Sequence, residues 1–283
     1  MKTFSATIFC CCVLTTSLQS QTDSSKIQPF GWKHVAVGAL NLTQVSFSNW
    51  AQGGDNALAW ATTLDGNSEN NQEKTDWTNS YKLAFGQTKI GDNQIQKTDD
   101  KIDLETVLTY KIGAYVNPYA AATFKSQFAE GYMYIDTGKT AVSKFMDPGY
   151  ITQSVGAGYQ PFPELKTRLG TAVREIVTSQ FNSYADNPAT PRIEKTSIEG
   201  GLESSTDIVW TLADNLLFTS KIELFDAFTK FDQIIVHSDN TIAAKVSKYV
   251  SVNLNVQLIN EKDVTPRTQV KQSLAMGLSY AIL

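Results

Sequence analysis

Fourteen charged side chains fall on the polar parity of segments that alternate apolar and polar residues along most of the chain. The basic members are Lys82, Lys101, Lys111, Lys166, Arg168, Arg174, Lys195, Lys221 and Lys271; the acidic ones are Asp103, Glu105, Glu199, Glu203 and Glu223. Such a set, enclosed, can do two kinds of chemistry. Opposite charges can pair across strands and close an interior with salt bridges. Alternatively, they can line a narrow polar path that selects small solutes by charge. Lys166, Arg168 and Arg174 fall in one segment and would form an anion-attracting strip. Both uses require a lumen.

Other chemistry is thinly supplied. The histidines are His34 and His237. His237 and Asp239 share a parity and could pair. A lipid hydrolase would also need a nucleophilic serine and an orienting group on a lipid-facing rim, and nothing marks such a serine. We therefore expect a non-enzyme. Asp92, Asp99, Asp100 and Asp103 offer oxygen ligands, but their spacing matches no standard calcium loop; a charged rim is the simpler expectation. There is no glycine-rich phosphate loop and no His/Glu zinc spacing, so no cofactor or metal is expected. Gly53 and Gly54 suit a tight turn with positive φ. Trp50 beside them reads as an interface anchor, with ligand stacking as the other use of its ring.

The elements that would position these groups are strands. From Thr268 to Leu283 the residues Val270, Leu274, Met276, Leu278, Tyr280 and Ile282 oppose Lys271, Ser273, Ala275, Gly277, Ser279 and Ala281. A period of two gives one apolar and one polar or small face. Reading backwards with the same ruler gives twelve segments: about 34–48, 56–66, 75–88, 99–112, 118–130, 150–159, 164–178, 193–205, 214–226, 235–246, 249–258 and the closing one. The first, second and tenth are the weakest. Each is long enough to cross a tilted bilayer, which takes roughly 9–11 residues. Connections alternate between long (131–149, 178–192, 259–267) and short (113–117, 160–163, 247–248), as in an outer-membrane barrel. Two connections, 67–74 and 206–213, are longer than the rule prefers. Trp77, Tyr110, Tyr159, Tyr249 and Tyr280 would form a girdle at one interface; Trp50, Phe85, Phe128 and Tyr150 would form one at the other. The expected fold is an all-β, antiparallel, up-and-down transmembrane β-barrel of about twelve strands. A soluble sandwich or lipocalin-like barrel, with its apolar face turned inward, is the competing reading.

Residues 1–20 have the anatomy of a secretory signal: Lys2, an apolar stretch from Phe4 to Leu14, and small residues near Ser17 and Ser20. Residues 21–33 would then be a periplasmic segment and 34–283 the barrel. All three cysteines, Cys10, Cys11 and Cys12, lie in the signal, so no disulfide framework is expected after cleavage. The formal charge is −4, which argues against nucleic acid as a partner. No apolar run of 18 residues follows the signal, so no transmembrane helix is expected.

Four segments carry a resemblance: N-W-A-Q-G-G-D-N at 49–56, K-T-D-D-K at 97–101, F-K-S-Q-F-A-E-G-Y at 124–132 and F-M-D-P-G-Y at 145–150. Together the chain resembles a domain-of-unknown-function family of outer-membrane β-barrels from Bacteroidota-type bacteria. That likeness implies a fold and a compartment, and no catalytic residue. The partners expected are outer-membrane lipids, the barrel assembly machinery that would read the closing strand, and a small polar solute. Barrels of this kind usually end in an aromatic, whereas this chain ends in Leu283.

Overall fold

A computed structural model describes residues 30–48, 54–135, 138–231 and 233–282. Fourteen strands appear among them: β1 (Gly31–Val45), β2 (Ala57–Asn71), β3 (Thr75–Ile90), β4 (Gln96–Tyr110), β5 (Val116–Ser126), β6 (Gly131–Ile135), β7 (Gly138–Ser143), β8 (Gly149–Phe162), β9 (Leu165–Val177), β10 (Thr196–Ala213), β11 (Leu216–Ala227), β12 (Ile235–Lys245), β13 (Val250–Asn260) and β14 (Gln269–Ala281). Twelve of them close into one antiparallel barrel in the order β1-β14-β13-β12-β11-β10-β9-β8-β5-β4-β3-β2. Each strand pairs with its sequence neighbours, apart from the β6–β7 hairpin, which stands outside the barrel within the connection from β5 to β8.

The loop rhythm is sharper than the sequence suggested. At the end holding the termini, the connections span only 72–74, 111–115, 163–164, 214–215 and 246–249. The segments expected as loops at 67–74 and 206–213 are mostly strand: β2 runs to Asn71 and β10 to Ala213. The far end carries the longer connections, including 127–148 and 178–195. β1 begins at Gly31, so residues 31–33, expected in a periplasmic segment, belong to the wall.

Burial is inverted relative to a soluble protein. Among the described residues the buried apolar set is small and mostly alanine, while Glu105, Asp147, Arg168, Arg174, Glu203 and Glu261 are buried. Large apolar residues face outward instead: Val155 is 58% exposed, Leu169 61% and Ile198 65%. A soluble monomer rarely exposes an apolar surface this continuous. The soluble sandwich or barrel with an inward apolar face is therefore not what forms.

The two halves of the wall differ. On β9 and β10 the inner parity is packed: Arg168, Ala172, Arg174, Gly201, Glu203 and Ser205 are all buried. Gly156 of β8 faces Gly170 of β9, and these positions admit no side chain. A Cβ on Gly170 would stand 2.3 Å from the Val155 carbonyl and 2.7 Å from the Tyr119 hydroxyl. Their absence lets the Tyr119 ring lie against the inner wall. Opposite, every residue of β13 is half-buried, inner and outer parity alike. An inward side chain can be reached by solvent only if space lies inside. Inner side chains are therefore packed most tightly along β9 and β10 and are reached more by solvent along β13, β14 and β1.

Candidate functional site

Cross-strand partners in an antiparallel sheet share a face, so register alone sorts the inner charges. One row on the inner face reads Asp65, Lys82, Asp103 and Lys125, on β2, β3, β4 and β5. Another reads Lys271, Gln257, Asp239, Lys221, Asp207 and Lys166, from β14 round to β9. Signs alternate along both rows. The row from β14 starts near the far end and finishes near the termini because the strands are tilted.

Side chains then reach across the lumen. Glu105 of β4 takes Arg168 of β9 on one carboxylate oxygen and Lys221 of β11 on the other, the latter at 2.6 Å. Lys125 pairs with Glu223, which also lies 3.5 Å from Lys221. Lys101 reaches Asp239 of β12 at 2.8 Å. Lys271 reaches Asp99 at 2.6 Å, across the far mouth of the open half. These pairs border a cavity of about 410 Å³, lined by Lys82, Lys101, Tyr150, Arg174, Glu203, Asp239 and Lys271 among others. Glu203 is buried there, with no described partner for its Oε2.

The expected inner residues are not all used alike. Lys82, Lys101, Asp103, Glu105, Arg168, Arg174, Glu203, Lys221, Glu223 and Lys271 point inward at the network or the cavity. Lys166 is inward but sits at the termini end, opposite Asp207. Glu199 stands at the far rim, 3.6 Å from Lys230. Two expectations are corrected. Lys195 precedes β10 and is exposed in a loop, because the strand starts one residue later. Lys111 lies past the end of β4 and binds the Asn71 side chain and the Gln72 carbonyl, so it fastens a turn. The sequence reading also left out Asp65, Lys125, Asp207, Asp239 and Asp99 as inner charges. Lys125 lies on the polar parity of its strand, and Asp207 lies in 206–213, which is strand and not a connection.

The aromatics divide similarly. Trp77, Tyr110, Tyr159, Tyr249 and Tyr280 face outward near the termini end, and Trp32 packs on Trp77 with ring centroids 5.5 Å apart. Tyr150 was expected in the far girdle, but it faces inward: it stands opposite Lys125 and lies beneath the Arg174 guanidinium. Its parity matches Thr152 and Ser154, not Ile151 and Val155. Trp50 and Gly53 lie outside the described residues. Gly54 has φ of 126°, as its turn position requires. Far-end aromatics facing outward include Trp60 against Phe85 and Phe228 against Phe231.

Asp99, Asp100 and Asp103 are engaged by protein donors. Asp100 accepts from Lys97, from the Phe128 N–H at 2.7 Å and from the Ala129 N–H at 3.0 Å. His237 and Asp239 do not pair with each other, since His237 faces Glu261 and Asp239 faces Lys101. The sequence reading missed a serine–histidine contact on the outer wall: His34 Nδ1 is 2.8 Å from Ser68 Oγ. The imidazole stacks on Trp32, and no described contact orients its other nitrogen. That leaves it short of a nucleophile–base–orienter set.

Two far-end carboxylates organise the loops. Asp147 is fully buried and accepts from the N–H groups of Ser179, Gln180 and Phe181, so it ties connection 127–148 to connection 178–195. Burial alone would raise its pKa; the three N–H donors outweigh burial and hold it below its ordinary value. Glu261 lies just past β13. Burial would raise it too, but His237 and Arg174 at its two oxygens hold it down to about 2.

Residues 42–132 match a family model described as "Protein of unknown function (DUF3078)". That span includes three of the four segments that carried the resemblance; the fourth, at 145–150, falls beyond it. No curated protein matches the sequence. Among solved structures, the chain is similar to the translocator domain of autotransporter NalP from Neisseria meningitidis, over 90% of this chain and 89% of that one, at 13% identity and TM-score 0.37. It is similar to the NanC porin over 87% and 98%, at 8% identity and TM-score 0.37. It is also similar to OmpT, an outer membrane protein of Vibrio cholerae, over 88% and 97%, at 9% identity and TM-score 0.32.

Proposed function

We propose that the protein is an outer-membrane barrel that passes or binds small polar solutes along one side of a partly filled lumen. The apolar exterior, with aromatics near both ends, supports the membrane reading. The termini end then faces the periplasm and the long connections face outward.

One observation carries the channel reading. The inner side chains of β9 and β10 are buried, while those on β13, β14 and β1 are reached by solvent. That open wall is built of small and amide groups: Asn253, Asn255, Ser273, Ala275 and Asn41. These groups hydrogen-bond neutral polar solutes without a strong charge preference. Lys271–Asp99 crosses its outer mouth and would act as a light gate, since both groups are well exposed and their bond is weak in water. Swelling of vesicles holding the purified barrel tests this. Small neutral sugars should enter faster than into empty vesicles, and Lys271→Gln should speed them further. Folded barrels that admit no solute would refute it.

A second reading, a closed barrel that binds a partner, has one specific support. The β6–β7 tip exposes Met133, Tyr134 and Ile135 on the outer side. Unchanged swelling with capture of a partner lost on deleting 131–143 would favour it.

A further inference from the structure

The first and last strands close the barrel with five residue pairs, from Val37–Ala281 to Asn41–Gly277. The next shortest barrel seam, β4–β5, has eight, and the rest have ten or more. Beyond Asn41 and Gly277 the strands part. Leu42–Val45 stays on β2, and Gln269–Met276 stays on β13.

Gly277 sits at the apex. A Cβ there would stand 2.4 Å from the Leu40 carbonyl, so the strands can touch at this level only with glycine present. Asn41 Oδ1 is buried beside it without a described partner. Above the apex both edges carry backbone N–H and C=O groups that pair with no strand. In a bilayer such groups are tolerated only where they are buried in protein or line a water-filled cavity. The open half of the lumen lies directly behind them. The gap therefore has a polar inner lip, with Ser273 and Asn41, and an apolar outer lip, with Leu42, Leu274 and Met276.

We infer that this gap is a lateral exit, through which a small amphipathic molecule passes between the lumen and the outer leaflet. Its head would bond the free backbone edges and its tail would lie between Leu42 and Leu274. The inference rests on the reading of the barrel as membrane-spanning.

Two measurements test it, both on protein folded in phosphatidylcholine vesicles with Cys10, Cys11 and Cys12 changed to serine. The first is a thiol pair, Gln44→Cys with Leu274→Cys, which would be directly opposed if the seam continued. Open strands predict slow disulfide formation, whereas the truly opposed control pair Val256→Cys with Gln272→Cys should form its disulfide rapidly. The second places a dye on Ser273→Cys and uses acyl-brominated lipid as quencher. The expected result is loss of fluorescence at 273, with little loss at Thr241→Cys on the inner face of β12. A 44–274 disulfide as fast as the control, or an unquenched dye at 273, overturns the exit. A sealed seam in a barrel that still admits solutes would leave the channel reading standing; failure to insert would remove both.

Discussion

Lys101 Nζ lies 2.8 Å from Asp239 Oδ2, and the two residues stand on β4 and β12, diametrically opposed in the twelve-strand ring. Five strands separate them in either direction. A bond across the full width divides the lumen. On one side lie Tyr119, Arg168, Glu105, Lys221 and Phe225, closely packed; on the other lie the small and amide side chains of β13, β14, β1 and β2.

Because this pair is partly shielded, it should be coupled energetically. A double-mutant cycle with Lys101→Gln and Asp239→Asn, read by urea unfolding in vesicles, should give about 1–3 kcal/mol of coupling. Both single variants should also raise ion conductance by removing the dividing bond. Additive stabilities would show that the bond contributes nothing across the lumen.

Glu105 holds two cations at once, Arg168 and Lys221, on the buried side. Glu105→Ala strands both and should cost about 3–5 kcal/mol of stability. Glu105→Gln keeps the shape and some hydrogen bonding, so it should cost less. Equal losses for the two variants would mean that volume, not charge, decides.

Acid should unlatch the outer loops through Asp147. Its carboxyl is held below the ordinary value of 3.8 in the folded protein. Its contribution is therefore fully present above about 3.8 and is lost as pH falls through the lower, folded value. Hydrogen exchange over 178–182, corrected for the intrinsic rate, should show protection at pH 5 to 7 that disappears in strong acid. Asp147→Asn should lose that protection already at neutral pH. Protection unchanged in the variant would place the latch elsewhere.

Gly170→Ala should destabilise by about 1–3 kcal/mol through overpacking against the Val155 carbonyl and Tyr119. Combining it with Tyr119→Phe should recover part of the loss, because the hydroxyl is one of the atoms crowded. No recovery would put the whole cost on the β8 backbone.

How much of this could be read in the residues varied along the chain. β4 and β14 alternate cleanly, so their faces were plain. β1 and β10 are obscured for one shared reason: near the mouth at the termini end the inner face itself carries apolar groups, Val35, Val37 and Val209, which break the polar–apolar alternation. β2 was cut short because its last outward residues, Ser68 and Asn70, are polar; Gly66 before them is covered by the Tyr81 ring. β12 read weakly because Ser238 and Asn240 face outward, bonded to each other and to Ser220. Parity marked which charges turn inward. It could not say which would meet, because Lys101 and Asp239 are joined by barrel closure and not by spacing. The short β1–β14 seam likewise depends on tertiary register, which no local pattern encodes.

Planar-bilayer recording is the most direct test of an off-centre polar path. The intact barrel should give small, stable conductance steps. Ala275→Trp, which places a large ring on the inner face of β14, should abolish or sharply reduce them while the barrel still folds and inserts. Inserted wild-type barrel that carries no current, or full current through Ala275→Trp, would contradict the account.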